Sequence, residues 1–460
     1  MEKNCEIGIE EMLLARDRRA ARQRALLKTH GVPLISLTMN IAGSIKYDRW
    51  IERAFREGLQ RIEHQLIRHN APVLARECTI APTGCEHLWA VDAPADALKS
   101  WMCAIEEADD LGRLFDADVI SQNGLKCSRA GEARRCLICG QPAAVCGRSR
   151  AHSAQALFQR AHEIIERFFL DQLCEWVGMC AEKSLLYEAI TTPKPGLVDC
   201  EDSGAHRDMD LFTFVNSASA LRDYFIRCVR IGHEMCKSSS EAIFARLQYE
   251  GMCAETRMME ATANVNTHKG ALFSLGLLCC AAGVLFEQPY SRKNLLECAS
   301  KLAQPSLQKL ESLSPESART GGEHQFIQMG LTGARGEAAS GFQSVQKYAL
   351  PVLEKALKAG KSANEAGLEA LIGLMSAVAD SNILRRGGIQ AQQMVFCAAQ
   401  DLMHQDIDME KLRELNKKFI QENISPGGCA DLLAVAWFLH LLDRQTENCT
   451  AHIDQPPKNR

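Results

Sequence analysis

Residues 193–210 read PKPGLVDCEDSGAHRDMD and supply Asp199, Glu201, Asp202, His206, Asp208 and Asp210 within twelve positions. Pro193, Pro195 and Gly196 predict a non-helical entry, because proline fixes φ, lacks an N–H donor and pushes the residue before it out of the helical region. A helix opening near Ala205 would set His206 and Asp210 on one face at a spacing of four, with Asp208 on a neighbouring face of its first turn. That geometry suits a hydrated magnesium ion held by the carboxylates of Asp208 and Asp210. The same run also reads as an acidic, solvated helix N-terminus favoured by the helix dipole.

A second pair of carboxylates lies in GRLFDADVI, residues 112–120, where Asp116 and Asp118 alternate with apolar residues. On a strand, positions two apart share a face, so the carboxylates converge. Many nucleotide-transferring enzymes hold a divalent metal against a triphosphate with such a pair, although a surface strand also carries Asp-x-Asp by chance. Next comes RRCLICGQPAAVCGRSRAHS, residues 134–153. Cys136, Cys139, Cys146 and His152 could supply four tetrahedral zinc ligands. The C-x-x-C also reads as a structural or redox thiol pair, and Arg148, Arg150 and His152 as donors to phosphate oxygens.

Four further polar stretches border apolar runs. Asn266, Thr267, His268 and Lys269 precede the uncharged run 271–286, where Asn266 or Thr267 is expected to cap a helix whose N-terminus favours an anion. Residues 331–342, LTGARGEAASGF, read as a glycine-punctuated loop with Arg335 and Glu337, whose backbone can approach phosphates closely. Residues 378–388 bring Asp380, Asn382, Arg385 and Arg386, and residues 424–434 bring Ser425, Gly427, Gly428 and Asp431. With the 193–210 stretch they predict one shared substrate cleft.

These groups need elements to hold them. Residues 11–27 predict a helix with five arginines from Arg16 to Arg24, a row that is either a solvated face or a set of phosphate donors such as Arg16. Strands are expected at 33–41, 87–91 and 113–120, with helices at 48–70 and 95–109. Residues 1–172 therefore predict an α+β domain with mixed elements, for which a nucleotidyltransferase-like fold is one candidate. From 173 to 460 the patterns are helical, predicting a larger all-α domain. A net charge of −4 implies no bulk polyanion partner. The run 271–286 is short of the roughly 20 residues a spanning helix needs. Twenty cysteines, mostly single on apolar faces, with an opening MEKNCEIGIEE that lacks an apolar leader, predict a reducing cytoplasm.

In order, MLLARDRRAARQR (12–24), PLISLTMNI, GRLFDADV and RRCLICG…VCGRSRAHS resemble apo-citrate lyase phosphoribosyl-dephospho-CoA transferase, the holo-acyl-carrier-protein synthase of citrate lyase, over about residues 10–172. KPGLVD…GAHRDMD, NTHKGA, GARGEA, DSNILRRGG and ISPGGCADLLA are similar to the triphosphoribosyl-dephospho-CoA synthase family over about 175–445. The resemblances imply that ATP and 3′-dephospho-CoA give 2′-(5″-triphosphoribosyl)-3′-dephospho-CoA and adenine. The group would then pass to a serine of the apo-acyl carrier protein, the γ subunit of citrate lyase, with loss of pyrophosphate. Such chemistry assigns Asp199, His206, Asp208 and Asp210 to magnesium and base work, and Lys269, Arg335, Arg385 and Arg386 to phosphates. Asn266, His268, Glu337, Asp380, Asn382, Gly427 and Gly428 are expected to complete that substrate site. Asp116 and Asp118 with a divalent metal, and Arg16, Arg148 and Arg150, are the transfer candidates. A malonate decarboxylase carrier protein as acceptor, or one half acting only as a carrier-docking module, are the alternatives.

Overall fold

The computed structural model describes residues 6–129, 134–403 and 407–453. The chain divides into two compact units, Met1–Asp171 and Gln172–Arg460.

The first unit runs α1 (Ile9–His30), β1 (Leu34–Met39), α2 (Arg49–Arg68), β2 (Val73–Ala81), β3 (Gly84–Val91), α3 (Ala95–Glu107), β4 (Phe115–Ile120), α4 (Ala143–Ser149) and the start of α5 (Ala154–Ile190). Its four strands form an antiparallel sheet in the order β2-β3-β1-β4. Alternating side chains give the sheet two faces. Ile35, Leu37, Phe115, Ala117 and Val119 are buried on one. Helices α2 and α3 pack there, and Lys99 of α3 donates to the Ala117 carbonyl at 3.2 Å. The other face packs Leu34, Leu88, Ala90 and Ile120 against Leu26 of α1. Asp118 lies opposite Ser36 and Asp116 opposite Thr38, so both carboxylates stand on the α1 side. The unit is α+β.

The second unit has no strand among its described residues. After the rest of α5 come α6 (Leu211–Glu234), α7 (Ser240–Ala261), α8 (Lys269–Val284), α9 (Arg292–Glu311), α10 (Gly321–Met329), α11 (Gly333–Ala339), α12 (Leu350–Lys358), α13 (Ala363–Met375), α14 (Ser381–Met403), α15 (Met409–Gln421) and α16 (Gly427–Ile453). Helix α8 is buried along most of its length, with α6, α7, α9 and α16 around it. That position explains a sequence with no polar face. Among the described residues no helix is long and apolar enough to cross a membrane.

Three local expectations are corrected. The helix expected from Ala205 starts at Leu211, because Asp210 caps it: its carboxylate accepts the Thr213 N–H at 2.9 Å. Residues 205–209 are irregular instead, with the Ala205 N–H bonded to the Gly196 carbonyl. His206 and Asp210 therefore do not share a helical face. The 331–342 stretch is largely the short helix α11 rather than an open loop. Helix α8 is capped at His268, not at Asn266 or Thr267, and His268 makes no side-chain cap bond.

Candidate active sites

In the second unit a cavity of about 920 Å³ gathers all five polar stretches. His206 and Asp208 come from the irregular loop before α6, and Asn266, Thr267, His268 and Lys269 from the start of α8. Glu337 of α11, Asp380, Asn382, Arg385 and Arg386 at the start of α14, and Ser425, Gly427, Gly428 and Asp431 at the start of α16 complete the wall. Helix starts supply much of the lining, so positive dipole ends face it, which favours anionic substrates.

Two carboxyls, one buried and one half-buried, tie these starts together. Asp380 is 1% exposed. One of its oxygens accepts the Asn382 N–H at 2.7 Å and the other the Cys429 N–H at 2.9 Å, locking the α14 entry to the α16 entry. Burial pushes its pKa up. The close approach needs glycine: a Cβ at Gly428 would lie 3.0 Å from an Asp380 oxygen, and one at Gly427 would lie 2.8 Å from the Asn382 amide nitrogen. Asp431 accepts the Ala271 N–H at 3.0 Å. Burial first, and the Glu188 carboxylate second, push its pKa well above the usual carboxylate value. Glu188 itself is buried and paired with buried Lys194 at 2.5 Å.

Two imidazoles, His206 and His268, face the cavity. Thr267 Oγ1 donates to Ser217 Oγ at 2.7 Å, and Ser217 Oγ shares a hydrogen bond with His268 Nδ1, also at 2.7 Å. His268 Nε2 is a buried atom with no partner among the described residues. Burial lowers the His268 pKa to about 3, so the ring is neutral. Arg386 approaches His206 Nδ1 at 3.4 Å, and His206 Nε2 lies 2.9 Å from Ser425 Oγ. Since guanidinium only donates, His206 Nδ1 accepts and Nε2–H donates. Burial, then the Arg386 charge, lowers its pKa.

The first unit holds a cavity of about 1100 Å³ walled by Arg113, Arg129, Arg134, Arg135 and Arg150, with His152, Glu106, Cys136 and Cys146. Glu106, 3% exposed, receives both Arg129 and Arg134. Arg134 also lies 3.6 Å from Asp116 and donates to the Phe115 carbonyl at 3.0 Å, linking the cavity wall to β4. Lys126 reaches Asp118 at 2.5 Å. The Asp116 pKa is raised by burial first and by the Asp118 charge second. Two such carboxylates form a donor set that a hard divalent cation satisfies.

Comparison with known families gives two matches. The CitG family model, ATP:dephospho-CoA triphosphoribosyl transferase, matches residues 174–450, more than half of the chain. The chain belongs to this family. The CitX model, apo-citrate lyase phosphoribosyl-dephospho-CoA transferase, matches residues 7–168. Protein CitXG of Haemophilus influenzae is 31% identical over 451 residues, 94% of this chain and 96% of that protein. Protein CitXG of Leuconostoc mesenteroides subsp. cremoris is 29% identical over 468 residues, 94% of this chain and 97% of that protein. The 2-(5″-triphosphoribosyl)-3′-dephosphocoenzyme-A synthase of Klebsiella pneumoniae is 39% identical over 273 residues, 58% of this chain and 90% of that protein. The chain is thus a bifunctional transferase of citrate lyase prosthetic-group formation, as its residues led us to expect.

Some expected residues lie outside these cavities. In the triphosphoribosyl transferase half, Asp199 is 3% exposed and organises its own loop, accepting N–H bonds from Lys194, Glu201 and Asp202. Asp210 is occupied by its cap, and Arg335 turns to Glu323 at 3.3 Å. Lys269 stands at the cavity but pairs with Glu255. In the other half, Arg16 and Arg148 are exposed and line neither cavity described above, while Arg19 and Arg22 hold Glu86. Sequence reasoning missed Glu188, Ser217 and Glu106, while Asp431 was placed in the cleft but given no role of its own. A Glu set among Leu185, Leu186, Tyr187, Ala189 and Ile190 was the available signal for Glu188.

Proposed function

We propose that the second unit joins C1″ of the ATP ribose to the 2′-hydroxyl of 3′-dephospho-CoA, expelling adenine. The convergence of the loop before α6 and the starts of α8, α11, α14 and α16 on one cavity, beside an Asp431 whose pKa is pushed upward, carries this reading. The 2′-oxygen to C1″ bond forms as the C1″ to N9 bond breaks. Asp208 accepts the hydroxyl proton, and Asp431 supplies the proton that leaves with adenine. Arg385, Arg386 and the Gly427 amide hold the triphosphate, and the neutral His268 ring orients a polar substrate group through Nε2. Asp208 and Glu337 are the cavity carboxylates that would hold magnesium, which neutralises triphosphate charge when bound.

The first unit then passes the phosphoribosyl-dephospho-CoA group to a serine of the apo-acyl carrier protein, the γ subunit of citrate lyase, in the cytoplasm. The serine oxygen to phosphorus bond forms and pyrophosphate departs. Its Asp116–Asp118 pair beside a five-arginine cavity supports a nucleotidyltransferase-like site, in which charge neutralisation and positioning do most of the catalysis. Asp116 and Asp118 would hold the divalent cation, which supplies charge neutralisation at the triphosphate.

Chromatography of adenine released from ATP and dephospho-CoA tests the first step. Asp208→Asn should abolish release while transfer of a pre-made prosthetic precursor continues; full adenine release by a folded Asp208→Asn protein would refute the assignment.

A further inference from the structure

The cysteine-rich segment at the wall of the first unit's cavity has the construction of a metal site. Cys136, Cys139, Cys146 and His152 place one ligand atom each within 4.8 Å of all the others. Cys139 Sγ lies 3.4 Å from Cys146 Sγ and 3.2 Å from His152 Nε2. The backbone is folded to bring them there. The Cys136 N–H bonds the Gln141 carbonyl at 2.6 Å, and the Gly140 N–H returns to the Cys136 carbonyl at 3.2 Å with Gly140 at φ +71°. This turn points both thiols of the C-x-x-C the same way, and the Ile138 and Cys139 N–H groups point at the Cys136 sulfur, as they do around metal-bound thiolates. Helix α4 then carries Cys146, and the Ala151 N–H bonds its carbonyl at 3.1 Å, turning His152 back onto the cluster.

We infer that this chain binds one structural zinc ion through Cys136, Cys139, Cys146 and His152. Three thiolates and one imidazole fill a tetrahedral shell, leaving no open position, so the ion braces the fold and does not activate water. The thiols lose their protons on binding. What the ion braces is the cavity wall: Arg135 precedes the first ligand, Arg150 lies between the last two, and Arg113 fastens the segment through the Arg135 and Cys136 carbonyls at 3.1 and 3.0 Å.

Elemental analysis of the full chain purified without chelator should find about one zinc per chain. Cobalt added to chelator-stripped protein should give the intense charge-transfer band of thiolate-bound cobalt. Cys139→Ser should lose most of the zinc and melt earlier in the first unit, with adenine release by the second unit unchanged. A zinc-free native protein that gives no cobalt band would overturn the inference, as would iron in place of zinc. So would a Cys139–Cys146 disulfide found in protein kept under reducing conditions.

Discussion

Asp431 Oδ1 accepts the Ala271 N–H at 3.0 Å, so the first turn of α8 is capped by a carboxyl from α16, 160 residues away in sequence. The same group is the one whose pKa burial drives upward beside the cavity. Support and chemistry can be separated by substitution. Asp431→Asn keeps a carbonyl acceptor for Ala271 and loses the acid, so adenine release should fall on the order of a hundredfold or more, with little change in melting. Asp431→Ala should lose both, with a further stability cost of about 1 kcal/mol for the missing cap. Equal melting losses in the two variants would contradict the split.

Gly427 and Gly428 sit against Asn382 and Asp380, so alanine at either must displace a side chain that fixes the α14 entry. Each variant should release adenine at least about tenfold more slowly, the effect expected when a positioning group shifts by about an ångström. Transfer from pre-made precursor should be unchanged. Normal adenine kinetics for Gly428→Ala would show that the Asp380 clasp does not set the site.

His268 makes the second unit acid-sensitive. Its pKa is about 3 in the fold, against about 6.5 in an unfolded chain. The unfolded state therefore binds the extra proton in that interval, and stability is lost as pH falls from about 6.5 toward 3. At about pH 5 the loss from this group is on the order of 2 kcal/mol. Denaturant midpoints of wild type and His268→Gln should converge between about pH 7 and pH 5. A constant gap across that range would contradict the neutral, buried assignment.

Asp116→Asn and Asp118→Asn should each slow transfer to the carrier protein on the order of a hundredfold while adenine release continues. Asp118→Asn removes a charge that raises the Asp116 pKa. In that variant the residual activity should therefore be retained to lower pH than in wild type. Transfer at the wild-type rate by Asp116→Asn would support a carrier-docking role for the first unit instead.

The two-part architecture was legible because a period of two gives way to a helical period near residue 172. The Asp116–Asp118 face was legible for the same reason. Strand β2 was not, because it is a half-exposed edge strand carrying Arg76, Glu77 and Cys78 among its small apolar residues. Its one clear sign was the Pro82-Thr83-Gly84 turn. The helix start misplaced at Ala205 shows a second limit: histidine and acidic residues at a helical spacing fit either a first turn or a loop closed by remote bonds, here from Ala205 to Gly196. The Asp431 cap on α8 could not be read at all, since spacing along the chain carries no information about an acceptor supplied by another helix.

The most direct measurement is the mass of apo citrate lyase acyl carrier protein after incubation with this chain, ATP, magnesium and dephospho-CoA, alongside an apo malonate decarboxylase carrier protein. The account predicts that the citrate lyase carrier gains the mass of the phosphoribosyl-dephospho-CoA group, with free adenine in solution. An unmodified citrate lyase carrier, or modification of the malonate decarboxylase carrier alone, would contradict it.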